Sequence, residues 1–448
     1  MSWGAAEAAR AQMGLSLAFH IVFAAVGVAM PALMVAAEVQ WRRTGQAVWL
    51  ELARAWAKGT AVLFAVGAVS GTVLSFELGL LFPGLMQQAG AVLGPAFALE
   101  GVAFFSEAIC LGVYLYGRER AAPWVHLAAG VGVAVSGLAS AALVTCANAW
   151  MQAPVDVAPG PNGVLVPTHA LAVFRSPAAP HLLLHSLLAV YVATGFAAGA
   201  VHAVGLLRRP ESELHRRALS LCLWMAVPSA LALPPVGHWA GQEAARLQPL
   251  KLAAMEGQYR TERWAPLRLG GFPDHAARRT RWALEIPGGL SFLAHDDPRA
   301  EVTGMEAFPA GDWPHPAVHL SFQVMVGAGS YLALLSAWGL FRRLRRGAWP
   351  EAPLFLRGVV AAGPLAFLAL EAGWFVTELG RQPWAVHGLL RTRDVITPVP
   401  GIELSCLVYA LVYLGLGAAT WAVLRGLFAP TLSPEPGSAS APVEESPA

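Results

Sequence analysis

The sequence predicts an all-α integral membrane protein of about nine transmembrane helices. We expect its N-terminus outside the membrane and its C-terminus inside. A large outer loop is predicted between helices six and seven. Three observations support this fold class. The 448 residues are 56% hydrophobic and 13% charged, whereas a soluble domain carries about 25% charged residues. The apolar residues lie in long blocks, and basic residues cluster in alternate connections between these blocks.

The apolar blocks define the predicted helices, because a membrane span needs roughly 20 apolar residues. The first block is too long for a signal-peptide core of roughly 7–15 residues. The sixth contains Pro228, Pro234 and Pro235, which a membrane helix tolerates when neighbouring groups satisfy the freed backbone. The predicted spans are 13–37, 60–86, 94–117, 124–149, 181–207, 217–236, 317–341, 354–378 and 402–427.

The orientation follows from the short connections between spans. Those after the second and fourth spans, "MQQAG" and "MQAPVDVAPGPNG", are poor in charge. Basic residues instead follow the first, third, fifth and seventh spans: Arg42, Arg43, Arg54, Lys58, Arg118, Arg120, Arg208, Arg209, Arg216, Arg217, Arg342, Arg343, Arg345 and Arg346. Because basic loops stay in the cytoplasm, the N-terminus is predicted outside and the C-terminus inside.

The chain then divides into four parts. Residues 1–236 hold helices one to six, 237–316 form the outer loop, 317–428 hold helices seven to nine, and 429–448 form a tail that we expect to be disordered. The outer segment is long, mixed in charge and rich in Trp, which favours an ordered, functional loop. The net charge of +2 gives no indication of nucleic-acid binding. The cysteines, isolated at Cys110, Cys146, Cys222 and Cys406, form no CxxC pair and predict neither disulfides nor zinc.

Four possible metal ligands lie near the predicted outer ends of four different spans. They are His20, His185, Met325 and Glu378. Ionisable groups inside a bilayer are costly and mark functional sites, and histidine and methionine are axial ligands of haem iron. Several haems at one membrane face would transfer electrons. The alternative is that each histidine packs or hydrogen-bonds, that Met325 fills a gap, and that Glu378 bonds a neighbouring helix end.

Two carboxylates lie on one face of the third span. Glu100 and Glu107 are seven residues apart, which is two turns, or roughly 10 Å. Such a pair can carry protons along the helix, and Ser140 and Asn148 on the fourth span extend the path with neutral hydrogen-bonding groups. The alternative is a structural pair bonded to neighbouring helices. Glu77 has no role that the sequence suggests.

The segments around these residues resemble subunit I of the cytochrome bd quinol oxidases over about residues 1–427. The resemblance rests on "GRQPW" after Glu378, "ARAQMGLSLAFH" ending at His20, and "LEGVAFFSEA" around Glu100 and Glu107. It also rests, in the same order along the chain, on "NAWMQAP", "LLHSLLAVYVATGF", "QPLKLAAMEG" and "FQVMVGAG". The short outer loop is similar to the short Q-loop type, which includes the cyanide-insensitive relatives.

The resemblance implies a role for each matching residue. His185 and Met325 would bind haem b558, whereas His20 and Glu378 would bind the high-spin haems b595 and d, with the assignment between the two left open. A third haem b in place of haem d is also consistent with the motifs. The resemblance also implies that Lys251 and Glu256 bind the quinol. Glu100, Glu107 and Trp374 would act in catalysis, and Glu107, Ser140 and Asn148 would form the proton path. Arg381 would lie beside the haems. Gln323 departs from the arginine of some members.

The implied activity is a terminal respiratory oxidase of the bacterial cytoplasmic membrane. It would oxidise ubiquinol or menaquinol at the outer face and reduce O₂ to water with cytoplasmic protons, without pumping. A second multi-span subunit, a small single-span subunit and membrane lipid are the implied partners. Two rival classes are a haem b electron-transfer subunit without oxygen reduction and a proton-coupled transporter, which would explain the carboxylates but not the ligand set.

Overall fold

The computed structural model describes residues 4–397 and 399–432. Within them, nine helices are long and apolar enough to cross a membrane, which confirms the predicted fold class. These helices are α1 (Ala5–Thr44), α2 (Ala47–Leu81), α3 (Pro83–Tyr116), α4 (Pro123–Gln152), α5 (Ala179–Arg208), α6 (Glu213–Leu247), α9 (Ala317–Arg346), α10 (Pro353–Leu379) and α12 (Ile402–Leu432).

Several helices extend beyond their apolar blocks. α6 continues to Leu247 through all three of its prolines, so the predicted domain boundary at residue 237 lies inside a helix. The reason is that hydropathy reports only the apolar part of a helix, whereas the backbone hydrogen bonds continue into polar sequence. α12 likewise continues to Leu432, past the start of the expected tail at 429. The rest of that tail, 433–448, lies outside the described residues.

The long helices form two groups. In the first, α5, α6, α9 and α10 share an apolar core that includes Phe196, Leu223 and Phe355. In the second, α1 packs against α2 and α4, and α3 packs against α4, while α12 lies on α1 and α2. Small residues allow the close packing, since a Cβ at Gly195 on α5 would lie 2.9 Å from the Cβ of Ala226 on α6.

Two buried carboxylates hold helices together outside the predicted site. Glu77, for which the sequence suggested no role, accepts a 2.7 Å hydrogen bond from Nε2 of Gln12 and so joins α2 to α1. Glu38 on α1 accepts from Arg42 at 2.9 Å and lies 3.0 Å from Nδ1 of His126 on α4. One oxygen of each carboxylate thus has a partner on a neighbouring helix, which lowers the cost of burying an ionisable group.

The segment between α6 and α9, residues 248–316, is ordered and built from short elements. α7 (Pro249–Glu256) and α8 (Gly289–His295) accompany three antiparallel strand pairs. Those pairs are β3 (Glu262–Arg263) with β8 (Glu301–Val302), β4 (Leu267–Leu269) with β7 (Leu284–Ile286), and β5 (Phe272–Asp274) with β6 (Arg279–Arg281). We call the end of the helix bundle that carries this segment the loop end.

Two smaller connections lie at the same loop end. β1 (Val157–Pro159) pairs with β2 (Leu165–Pro167) between α4 and α5. After α10, β9 (Trp384–Val386) pairs with β10 (Leu390–Arg391), followed by α11 (Thr392–Val395). The backbone N–H of His387 donates to the carbonyl of Met151 at 2.9 Å. The end of α10 is thereby held against the end of α4, and this contact positions the site described next.

Candidate functional site

One cavity of about 2300 Å³ is lined by residues of both helix groups and of the segment at the loop end. Ordinary ligand pockets are roughly 300–1,000 Å³, so this cavity has room for more than one large group. All the residues that the sequence singled out as site residues line it: His20, Glu100, Glu107, Ser140, Asn148, His185, Lys251, Glu256, Met325, Trp374, Glu378 and Arg381. The fold thus brings together side chains from seven of the described helices.

Three of these side chains lie against a glycine of a neighbouring helix. A Cβ at Gly71 on α2 would lie 3.0 Å from Cε1 of His20, and one at Gly373 on α10 would lie 2.9 Å from Sδ of Met325. A Cβ at Gly137 on α4 would lie 3.3 Å from Oε1 of Glu107. Because these distances are shorter than ordinary carbon contacts, each glycine makes the space that the functional side chain occupies.

His20 is held in one orientation by Ser70. Its Nδ1 lies 2.9 Å from Oγ of Ser70, and that hydroxyl donates its single proton to the carbonyl of Val66 at 3.0 Å. With the hydroxyl donating to that carbonyl, Nδ1–H of His20 can donate to Oγ of Ser70 and Nε2 keeps its lone pair. Metal-binding histidines typically donate the other ring N–H in this manner. The residue thus suits an iron-bound imidazole.

His185 and Met325 also fit a haem-binding role. Nδ1 of His185 is shielded from solvent and has no hydrogen-bond partner among the described residues. A buried polar atom without a partner normally signals a missing water, ion or ligand. Met325 is fixed against Gly373 on α10, and its thioether is the second ligand type of a histidine–methionine haem.

Glu378 accepts hydrogen bonds through both carboxylate oxygens. Nδ2 of Asn148 donates to Oε1 at 2.5 Å, and Nη2 of Arg381 donates to Oε2 at 2.6 Å. Arg381 is 6% exposed, and its Nε and Nη1 have no partner within the described part of the chain. The guanidinium therefore has donors free for a second anionic group, such as a haem propionate.

α4 presents a polar stripe to the carboxylates. Oγ of Ser140 donates to Oε1 of Glu100 at 2.9 Å, and Asn148, two turns further along, donates to Glu378. Glu107 of α3 is 6% exposed, and its carboxylate lies against Gly137 of α4. The two predicted proton-path helices are thus in contact, and their polar groups face the cavity.

Lys251 and Glu256 lie on opposite sides of α7. The two positions are roughly 140° apart around the helix. Nζ of Lys251 donates to Oε1 of Gln152 at 3.1 Å and to the carbonyl of Thr377 at 3.3 Å. Burial, and then the nearby Arg381, lower the pKa of Lys251 to about 7. Burial raises the pKa of Glu256 to about 8, opposed by the charge of Arg268.

Sequence reasoning missed several residues of this site. Gln152 was within the quoted segment "NAWMQAP", and its position one turn after Asn148 could have identified it. Arg268 on β4 and Ser70 on α2 carried no sequence signal. Gln323 proves to have a definite contact: its Oε1 accepts from the N–H of Gly270 at 2.9 Å and its Nε2 donates to the carbonyl of Arg268 at 3.0 Å. It therefore fixes the β4–β5 turn to α9.

A bundle of membrane helices around a large cavity lined by imidazole, thioether and carboxylate groups defines a polytopic membrane oxidoreductase. A family model described as cytochrome bd terminal oxidase subunit I matches residues 8–431. The chain belongs to this family. The resemblance in the sequence motifs is therefore confirmed.

Individual relatives agree with the family model. The chain is 35% identical over 426 residues to the putative cytochrome bd menaquinol oxidase subunit I of Bacillus subtilis (strain 168), which covers 94% of this chain and 96% of the relative. It is 26% identical over 459 residues to the cytochrome bd-II ubiquinol oxidase subunit 1 of Escherichia coli (strain K12), covering 87% and 89%. The solved bd oxidase from Geobacillus thermodenitrificans matches with a TM-score of 0.89 and 35% identity, covering 95% of this chain and 98% of that chain.

The family establishes the activity at the level of the whole chain. The protein is subunit I of a terminal quinol oxidase, a quinol:O₂ oxidoreductase of the bacterial cytoplasmic membrane with haem cofactors and a second subunit. The two rival classes, a transporter and an electron-transfer subunit without oxygen chemistry, do not match this family.

Proposed function

We propose that the cavity holds three haems through the side chains that the sequence indicated. His185 and Met325 would hold haem b558, and His20 and Glu378 would hold haem b595 and haem d, or a third haem b in its place. When bound, the haems would supply one-electron transfer and the reduction of dioxygen. What supports this assignment is the 2.9 Å contact of His20 Nδ1 with Ser70, the Nδ1 of His185 that has no partner among the described residues, and the size of the cavity.

The quinol headgroup would bind where Glu256 and Arg268 line the cavity. Oε2 of Glu256 is buried without a partner among the described residues, so it is available to accept a quinol hydroxyl proton. Its pKa of about 8 suits a group that takes up and releases protons near neutral pH. The Bacillus subtilis relative is named for menaquinol and the Escherichia coli relative for ubiquinol, and either would be oxidised with loss of two electrons and two protons.

Protons for water formation would arrive by a separate route along α3 and α4. Glu107 and Glu100 supply the titratable groups, and Ser140 holds Glu100 by its 2.9 Å hydrogen bond. Quinol protons would leave at the loop end, which the basic connections predict to be outside. Electrons and protons taken from opposite faces would create a membrane potential without a pump, and Trp374 would complete the cavity wall beside the reaction.

The observation that carries this proposal is the convergence of His20, His185, Met325 and Glu378 on one cavity. Its test is purification of the complex from bacterial membranes, followed by reduced-minus-oxidised and CO-difference spectra and by measurement of quinol-dependent O₂ uptake. We expect one low-spin and two high-spin haem signals, O₂ uptake with ubiquinol or menaquinol, and co-purification of subunit II and a small single-span subunit. A complex with only low-spin haem b and no CO-reactive haem would overturn the assignment.

A further inference from the structure

His319, in the first turn of α9, contacts two backbone carbonyls that belong to different segments. Its Nδ1 lies 2.8 Å from the carbonyl oxygen of Met255 in α7, and its Nε2 lies 3.0 Å from the carbonyl oxygen of Gly270. Gly270 stands in the turn between β4 and β5. The side chain of His319 is 0% exposed. One buried residue of α9 therefore joins the end of α7 to the β4–β5 turn.

The two partners of His319 indicate the protonation state of its ring. A carbonyl oxygen can only accept a hydrogen bond, and a neutral imidazole has a single N–H. Both contacts are therefore hydrogen bonds only when each ring nitrogen carries a proton, so that the ring is an imidazolium. In a neutral ring, the lone pair of one nitrogen would face a carbonyl oxygen at hydrogen-bond distance, and the two would repel each other.

The helix ends around His319 act on this charge in opposite directions. Met255 lies in the last turn of α7, where carbonyl groups lack partners within the helix and the helix dipole attracts cations. The first turn of α9, which carries His319, repels them. Because the two dipole effects oppose each other, the two direct hydrogen bonds decide the charge of the ring. Hydrogen bonds from a charged donor are roughly twice as strong as neutral ones.

Gln323 extends the same attachment one turn further along α9. Residues four apart lie on one face of a helix. The Oε1 of Gln323 accepts from the N–H of Gly270 at 2.9 Å, and its Nε2 donates to the carbonyl of Arg268 at 3.0 Å. α9 thus holds residues 268–270 through two side chains, but only His319 also reaches α7.

The two segments that His319 joins carry the groups proposed to meet the quinol. Glu256 follows Met255 in α7, and Arg268 lies on β4, two residues before Gly270. Glu256 and Arg268 both line the cavity, whereas His319 is not among the described residues that line it. His319 therefore acts on the quinol site only through the backbone that it holds.

We propose that His319 is a positioning residue for quinol oxidation. As an imidazolium, it keeps Glu256 and Arg268 in a fixed relative position, and loss of its proton breaks one of the two hydrogen bonds and loosens the quinol site. This proposal rests on the proposed function, because it takes Glu256 and Arg268 as the quinol contacts. Other charged groups on the elements packed against His319 are Lys251 and Glu256 on α7, Arg268 on β4, Asp274 on β5, and Arg279 and Arg281 on β6.

The first test compares His319→Phe and His319→Gln in the purified complex. Because His319→Phe loses both donors, we expect the KM for quinol to rise about tenfold, with kcat within about twofold of wild type and unchanged haem bands. His319→Gln keeps an NH₂ group for one carbonyl, so its KM should lie between the two. His315→Phe is the matched control. His315 is exposed, and its Nδ1 accepts from the N–H of Ala317 at 3.1 Å, so its loss should leave KM unchanged.

The second test is the pH dependence of quinone binding. The probe is the short-chain form of the quinone that the complex accepts, used as a competitive inhibitor, because it has no hydroxyl proton to lose. In wild type its Ki should rise by up to about tenfold once the ring of His319 loses its proton. This rise should be absent in His319→Gln, which does not titrate. It should persist in Glu256→Gln and in Lys251→Met, which separates it from the titration of those two groups.

Two results would overturn the proposal. One is a KM for His319→Phe within twofold of wild type, and the other is the same pH dependence of Ki in wild type and His319→Gln. If His319→Phe does not assemble with its haems, His319→Gln decides both tests. Failure of the proposed quinol site has a different signature, because Glu256→Gln would then oxidise quinol with the KM and pH profile of wild type.

Discussion

Nδ2 of Asn148, near the end of α4, lies 2.5 Å from Oε1 of Glu378, near the end of α10, although 230 residues separate them in the chain. This bond explains why a carboxylate can stand at the end of a long apolar helix. Its charge is satisfied by an amide on one oxygen and by the guanidinium of Arg381 on the other. The "GRQPW" segment then ends α10 and turns the chain into the β9–β10 hairpin.

The first prediction concerns this amide. We expect Asn148→Leu to lower high-spin haem content and turnover roughly 10–100-fold, because Oε1 of Glu378 loses its donor. Haem content by spectroscopy and O₂ uptake measure the effect. Thr145→Val is a suitable control. Thr145 lines the same cavity, and within the described part of the chain its hydroxyl bonds only the Ala141 carbonyl of its own helix, at 2.7 Å. Equal high-spin haem content in Asn148→Leu and wild type would count against Glu378 as a ligand.

The second prediction separates two histidines on one face of α5. His185→Ala should abolish the low-spin haem band, because the ligand is lost, whereas His181→Ala should keep it. The pair is closely matched: both residues line the cavity, and Nδ1 of each has no partner among the described residues. Reduced-minus-oxidised spectra at equal protein concentration are the measurement. The opposite pattern would transfer the ligand role to His181.

The third prediction tests the glycine that faces Met325. In Gly373→Ala the new methyl group would lie 2.9 Å from Sδ of Met325, which forces the thioether to move. We expect a shifted low-spin haem spectrum and a changed midpoint potential, with the high-spin bands retained. Gly327→Ala on α9 is the control, because a Cβ there would meet none of the described residues' atoms within 4 Å. An unaltered low-spin spectrum in Gly373→Ala would argue against Met325 as the axial ligand.

The fourth prediction is a pH dependence that arises from Glu256. Burial raises its pKa from 4.5 to about 8. At pH 7 the carboxyl is therefore ionised in only about a tenth of the molecules. If the carboxylate accepts the quinol proton, kcat/KM for quinol rises with pH up to about 8 and then levels off. Between pH 4.5 and 8 this carboxyl is protonated in the folded chain and ionised in the unfolded chain. Its contribution to the free energy of unfolding therefore falls as the pH rises through that range.

Glu256→Gln provides the control for this profile. The variant should have a low kcat/KM that no longer rises through pH 8. A pH profile that is the same in wild type and Glu256→Gln would show that Glu256 is not the base.

Much of the site could be predicted because its chemistry is costly. His20, Glu100, Glu107, His185 and Glu378 stand out in apolar sequence, since a bilayer tolerates such groups only for a function or a specific partner. The helices could be predicted for a related reason, because every backbone polar group in a membrane must be satisfied within its own segment. The exact helix ends could not, since α6 continues into sequence that is no longer apolar.

The sequence by itself determined the all-α membrane class, the order of its helices and the residue types that suit haem and protons, because hydropathy and the cost of buried charge are local properties of the chain. The tertiary structure alone decided which of these residues meet. Only the packing of α4 against α10 and α7 joins Lys251 to Glu378 through Gln152 and Asn148, and only the fold places Gly71 against His20 and Gly373 against Met325. Such contacts depend on distances between segments far apart in the chain, and no local pattern encodes those distances.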